Sequence, residues 1–485
     1  MSVKVAGLSP KRRYGSFLLS FITATALLSS CRTSQNTRLH LGTGDQITVD
    51  TTIAKLQDTA EQLRVQEASI ERHPDFSLGT IEFNDEGLSF SSQQRLAVTK
   101  MILDEARDRG IILVVFIHGW KHNATVCDTN LSCFRSVLQE LGQREKVGAR
   151  RRVIGVYLGW RGLTYCNPIG RQFSFWTRKR IGERLGTNQA RRTINDLLLL
   201  HNQIKRLHSD TRFVAVGHSL GGGVLFSAIG PLYRQALHDA IEERRGSVLD
   251  PIQGFLDPTG CKVELPDLVV LANPAFEAEL YKRTPADLVD MRKKGARFSP
   301  AQFPLLLSVS SDGDTATHIV FPVGQTVRLL FSPIMWLRGG SYLRRNIIAA
   351  ANYGPYITDL ASAVAETSTP SAEPVPSRPG NCFADDFSKV TGGDCGCRLN
   401  PPQVASTDEE NQPFSAKSRS YGNVHLERLP SVDPNNPFIV AKATRAVLKN
   451  HSDIFNPTFI SFLIELVHRV DEHKSGLAIQ SRLEP

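Results

Sequence analysis

The rhythm of apolar and polar positions changes at Leu78. Upstream, residues 32–76 are polar and weakly patterned, with helix-like spacing only near Ile53–Gln66. Downstream, aliphatic runs alternate with stretches that place apolar residues three and four apart. Thr80–Phe83 reads as a short strand, and Ser91–Arg109 as a helix carrying Leu96, Val98, Met101, Ile102 and Ala106. Ile111–Ile117 (IILVVFI) is apolar throughout, the pattern of a strand covered on both faces. The alternation then continues through a helix around Phe134–Leu141, a strand at Arg152–Leu158 and a long helix through Ile194–Leu207. A strand at Phe213–Val216, a helix at Gly221–Ile241, and strands at Leu268–Leu271, Leu305–Val309 and Phe438–Ala443 follow. Strand alternating with helix predicts parallel βαβ units, hence an α/β protein with a mostly parallel central sheet and helices on both faces. Residues 366–420 break the pattern with PSAEPVPSRPGN, GGDCGC and a polar acidic stretch, which predicts an irregular surface insertion.

A chain of 485 residues with 41% hydrophobic and 22% charged residues suits one large globular domain, expected over residues 77–485. The first thirty residues have a different character. Lys11, Arg12 and Arg13 precede an uncharged apolar run, Phe17–Leu28, and then Ser29 and Ser30. Basic cluster, short apolar run and small-residue exit describe a secretory signal over residues 1–30. The run is shorter than the about 20 residues a membrane-spanning helix needs. Leu28-Ser29-Ser30-Cys31 resembles the bacterial lipobox. That resemblance implies that Cys31 is lipidated and becomes the first mature residue. Residues 31–76 are then a tether, and the membrane is a partner through the lipid anchor. Arg32 is not the aspartate that favours inner-membrane retention, so the expected location is the outer membrane of a bacterial envelope.

Loss of Lys4, Lys11, Arg12 and Arg13 with the signal takes the formal net charge from +9 to +5, and the remainder has no basic run of the kind that binds nucleic acid. Seven cysteines follow Cys31, and an exported protein can oxidise them. Cys127 with Cys133, and Cys382 with Cys395 or Cys397, are candidate pairs, and the odd total leaves at least one thiol over. The cysteines lack the CxxC and His spacing of a zinc site, so no metal is expected.

Gly217-His218-Ser219-Leu220-Gly221 is a GxSxG string that follows the apolar strand RFVAV and opens a helix. A serine there occupies a sharp strand-to-helix turn, with flanking glycines to relieve crowding and a helix N-terminus to receive negative charge. His118-Gly119-Trp120 ends the IILVVFI strand. Asp312 and Asp314 follow the strand Leu305–Val309. Five histidines come later: His318, His425, His451, His468 and His473.

Together these features resemble the α/β-hydrolase family across about residues 78–470. VFIHGWKHNA, VYLGWRG, GHSLGG and NHSDIFNP are similar to segments of a group of bacterial hydrolases of esterase and lipase type. The resemblance implies Ser219 as nucleophile and the backbone N–H groups of Trp120 and Leu220 as the oxyanion hole. It implies Asp314 as the acid, with Asp312 as the alternative. It also implies His451 as the base, because His451 lies between the last strand and the last helix, where the family keeps its histidine. His118 is expected to be structural, and His468 and His473 to lie on the surface. The implied activity is serine-dependent hydrolysis of an ester or lipid-like small molecule, with no cofactor. An acyltransferase on the same machinery and a non-catalytic binding lipoprotein are the alternatives. Leu329–Leu337 (LLFSPIMWL) reads as a buried helix in preference to the lining of an acyl pocket.

Overall fold

The computed structural model describes residues 68–147, 151–163, 168–243, 246–257, 259–330, 340–364, 414 and 417–483. The expected signal over residues 1–30, Cys31, the stretch 53–66 and most of the expected insertion lie outside the described residues.

In chain order the elements are β1 (Ile70–Arg72), β2 (Phe76–Phe83), α1 (Ser92–Glu105), β3 (Ile111–Ile117), α2 (Thr129–Val147), β4 (Arg152–Trp160), α3 (Pro168–Thr187) and α4 (Gln189–Leu207). Then come β5 (Arg212–His218), α5 (Leu220–Glu243), β6 (Gly254–Leu256), β7 (Lys262–Glu264), β8 (Leu268–Ala272), α6 (Ala278–Tyr281), α7 (Arg283–Lys293) and β9 (Leu306–Ser311). The last are α8 (Phe321–Leu330), α9 (Gly340–Ile347), β10 (Asp359–Ala363), β11 (Ser418–Tyr421), β12 (Val424–Arg428), β13 (Phe438–Ala443) and α10 (Pro457–Leu483).

Eleven strands form one sheet in the order β1-β2-β4-β3-β5-β8-β9-β13-β10-β12-β11. Every pairing from β2 to β10 is parallel, while β1 at one edge and β12 and β11 at the other are antiparallel. The protein is thus an α/β protein built on a large, mostly parallel sheet surrounded by helices. Its central strands are buried along their length: all seven residues of β3 and all five of β8. With helices covering the sheet, both faces of each strand need apolar side chains, hence the uninterrupted runs in the sequence.

Two expected segment boundaries shift. The sheet starts at Ile70, inside the stretch expected to be a tether up to residue 76. Ile-Glu-Arg is too short and too charged to signal a strand, and it forms by pairing with Phe76–Phe83. At the far edge, Ser418–Tyr421, expected at the end of the insertion, is a paired strand. The buried Asp359 carboxylate on β10 receives Arg419 of β11 and Arg428 of β12, which ties this antiparallel edge together.

β3 connects leftward to β4, and β4 connects across it to β5, so the direction of winding reverses between β3 and β5. In open α/β sheets, ligands collect at the C-terminal strand ends beside such a reversal. At the other end of the strands, Asp267 is almost fully buried before β8 and pairs with Lys474 of α10. Burial pushes the Asp267 carboxyl up, but Lys474, Lys205, His201 and Arg212 outweigh it and hold the group well below the usual carboxylate range.

Cys127 and Cys133 are both disulfide-bonded, and Cys261 is an exposed free thiol. No helix among the described residues is long and apolar enough to cross a membrane.

Candidate active site

Ser219 links β5 directly to α5 with a left-handed backbone, φ 55°. For a non-glycine residue that conformation costs of order 1–3 kcal/mol and persists only where neighbours enforce it. They do so here: Ser219 N–H donates to Ala272 O at 3.1 Å, and Ser219 O accepts from Gly222 N–H at 3.1 Å and Ala275 N–H at 2.9 Å. The glycines of the motif are required by packing. A Cβ on Gly221 would meet the carbonyl oxygens of Ile117 and His118 at 2.3 and 2.4 Å, and one on Gly217 would meet Gly221 O at 2.8 Å. The N-terminus of α5 therefore packs onto the end of β3.

From the opposite side of the sheet centre, the loop after β13 carries His451 back to this turn. His451 Nε2 lies 2.7 Å from Ser219 Oγ, and Nδ1 lies 2.8 Å from Asp314 Oδ2. A carboxylate can only accept, so Nδ1 carries the hydrogen and Nε2 is free to accept the serine proton. Asp314 is fully buried three residues beyond β9, whereas the His451 side chain keeps 21% exposure. Asp312, the alternative acid, points away: its side chain is 53% exposed and lies 3.7 Å from Lys442.

Asp314 has further partners that sequence reasoning did not single out. Thr317 donates its hydroxyl to Oδ2 at 2.6 Å and its N–H to Oδ1 at 3.1 Å. Asn352 in turn donates to Thr317 Oγ1 and accepts from Lys442 Nζ at 2.6 Å. Burial pushes the Asp314 carboxyl up, but the hydrogen bond and charge of His451 and the two Thr317 donors hold it below its ordinary value. Thr317 lies three residues after Asp314, inside the helical turn Ala316–Val320.

The loop after β3 forms the facing wall. A Cβ on Gly119 would sit 2.6 Å from Ser219 Cβ and 3.2 Å from Oγ, so only glycine lets this peptide lie on the serine. Among the described residues the N–H groups of Trp120 and Leu220 have no hydrogen-bond acceptor. His118 is buried and structural in its contacts. Its Nε2 accepts from Trp160 N–H at 3.0 Å, and Nδ1–H donates to Gly119 O at 2.9 Å. Desolvation brings its pKa down to about 4, so it is neutral near pH 7. Because the C=O and N–H of a trans peptide point opposite ways, holding the Gly119 carbonyl also orients the Trp120 N–H.

None of the other four later histidines contacts Ser219. His318 donates to Asp314 O and meets Lys442, His425 contacts Ser418 and Ser420, and His468 is exposed beside Glu472. His473 differs from the surface expectation: it donates to Ala301 O and packs on Phe303 and Phe414 inside α10's contact with the core. Among the described residues no His, Cys, Asp and Glu group could hold a metal ion. Residues 331–337 of the expected buried helix lie outside the described residues.

No protein-family model matches the chain, and no curated protein is similar to it in sequence. Among solved structures, phospholipase PlaB from Legionella pneumophila is similar at 12% identity and a TM-score of 0.21, over 53% of this chain and 47% of that one. The match thus spans about half of that protein's length.

Proposed function

We propose that this protein is a serine hydrolase of the α/β-hydrolase fold that cleaves carboxylic esters of small or lipid-like molecules. One observation carries the reading: a single imidazole bridges a serine hydroxyl on a left-handed strand-to-helix turn and a buried carboxylate, at 2.7 and 2.8 Å. The chain order Ser219, Asp314, His451 supports the fold assignment.

In this reading His451 Nε2 takes the Ser219 proton as Oγ bonds to the ester carbonyl carbon. The carbonyl π electrons move to oxygen, and the N–H groups of Trp120 and Leu220 receive that oxyanion. Asp314 holds the tautomer and stabilises the imidazolium. Collapse breaks the carbon–alkoxy bond, and His451 returns the proton to the departing alcohol. Water then attacks the acyl-serine with His451 again as base, releasing the acid and restoring Ser219. This chemistry needs neither metal nor organic cofactor. Lipidation at Cys31 would hold the enzyme against the envelope membrane, where acyl esters are abundant.

The test is turnover of a p-nitrophenyl ester of a short acid by purified protein. Ser219→Ala should reduce it to the uncatalysed background. Undiminished turnover in that variant overturns the proposal.

A further inference from the structure

After β13 the chain turns back over the C-terminal ends of three neighbouring strands, and each strand end donates to a carbonyl of this return loop. Ser311, the last residue of β9, gives its hydroxyl to Leu448 O. Asn273, directly after β8, gives its amide N–H groups to Asn450 O and His451 O, each at 3.1 Å. His218, the last residue of β5, lies 2.9 Å through Nε2 from His451 O. The His451 carbonyl therefore takes donors from two different strands.

Both donors are themselves fixed. Asn273 is fully buried, its Oδ1 accepts from Ser311 N–H at 2.9 Å, and its N–H donates to Val309 O at 2.8 Å. One amide thus ties the strand that leads to Asp314 to the loop that carries His451. Its backbone is left-handed, φ 45°, a conformation asparagine tolerates better than most residues. His218 is 2% exposed. A carbonyl cannot donate, so His218 Nε2 bears the hydrogen. Nδ1 is left as a buried lone pair with no partner among the described residues. Burial first, and then the neighbouring His451, hold His218 in its uncharged form.

We infer that Asn273 and His218, backed by Ser311, are positioning residues that set the His451 imidazole between Ser219 and Asp314 by clamping the His451 carbonyl. The inference rests on the serine-hydrolase reading. Folding needs the loop attached somewhere. Two donors on the carbonyl of the one residue that must reach both Oγ and Oδ2 instead fix the peptide from which its side chain springs. With that peptide held, only χ1 and χ2 of His451 remain, and the ring's two hydrogen bonds settle them.

The experiment compares Asn273→Gly, His218→Leu and His218→Gln with wild type and Ser219→Ala. Glycine keeps the left-handed backbone and removes only the amide, while glutamine offers an N–H to the same carbonyl. Ester turnover is measured per fluorophosphonate-titrated site between about pH 5 and 9, beside the thermal midpoint. Asn273→Gly should lower kcat about 10- to 100-fold, with KM changed less than about threefold. His218→Gln should recover part of the loss in His218→Leu. A purely structural role would lower the thermal midpoint but leave kcat per titrated site unmoved. That result, with Ser219→Ala inactive, overturns the clamp and leaves the hydrolase reading intact. Activity in Ser219→Ala overturns the reading beneath it. If Asn273→Gly does not fold, the His218 pair decides, and equal kcat in His218→Leu, His218→Gln and wild type refutes the clamp.

Discussion

Replacing Asp314 by asparagine changes one atom of a buried side chain and should nearly abolish the proposed ester hydrolysis. The carboxylate accepts from His451 Nδ1–H at 2.8 Å and from both Thr317 donors. An asparagine satisfies the Thr317 N–H with its oxygen and turns its NH2 towards His451 Nδ1. That nitrogen must then accept, the ring hydrogen moves to Nε2, and Nε2 can no longer take the Ser219 proton. A tautomer error of this kind costs about 10⁴-fold in kcat, or about 5.4 kcal/mol of barrier at about 1.36 kcal/mol per tenfold. Asp312→Asn is the internal control. Its side chain is 53% exposed and its nearest cation, Lys442, is 3.7 Å away, so its loss should cost under about 1 kcal/mol, a few-fold at most. The pH dependence of stability has a definite sign. The folded Asp314 pKa is depressed, so its stabilising contribution is present above the ordinary value of about 3.9 and is lost as pH falls through the depressed value. Stopped-flow or steady-state ester hydrolysis by the two variants, with fluorophosphonate labelling rates, measures the effect. If Asp314→Asn keeps more than about a tenth of wild-type kcat, or Asp312→Asn is the more damaging change, the reasoning fails.

Three further outcomes are expected. Gly119→Ala forces a Cβ to within 2.6 Å of Ser219 Cβ and should displace the Trp120 N–H, lowering kcat about 10²- to 10³-fold with little change in KM; wild-type turnover would remove this loop from the oxyanion site. Asp267→Asn removes the buried carboxylate that pairs with Lys474 and should destabilise the fold by about 3–5 kcal/mol in urea unfolding at neutral pH. Because the Asp267 pKa is depressed, the gap to wild type should close only in acid, and a gap independent of pH would contradict the assignment. Cys31→Ser should release the protein from the membrane fraction of expressing cells, whereas continued membrane retention would refute lipid anchoring at that residue.

The central strands were legible because both faces of a covered parallel sheet demand apolar residues, so IILVVFI, RVIGVYL and FIVAKA announce themselves. The antiparallel edge was not. β10 alternates buried and exposed positions, and β11 and β12 bury Arg419 and Arg428, charges that resemble surface residues until Asp359 is found between them. α3 was missed for the same reason, since Arg178 and Lys179 are buried within it against Asp85 and Glu277. Ser219 was marked by its local turn chemistry. The choice between Asp312 and Asp314 needed the fold, because only the direction of the turn after β9 separates an exposed carboxylate from a buried one. Asn273 and His218 carried no local signal for their contacts with the His451 carbonyl, which lies 178 and 233 residues away in sequence.

The most direct test of the account is the site of covalent modification by a fluorophosphonate. Only a serine with a base in place and an oxyanion site beside it reacts at a useful rate at neutral pH. Peptide mapping of labelled protein should place one phosphonyl adduct on Ser219, and pre-labelling should abolish ester turnover in proportion to its extent. An adduct elsewhere, or complete labelling of Ser219 with turnover intact, would contradict the assignment of Ser219 as the nucleophile.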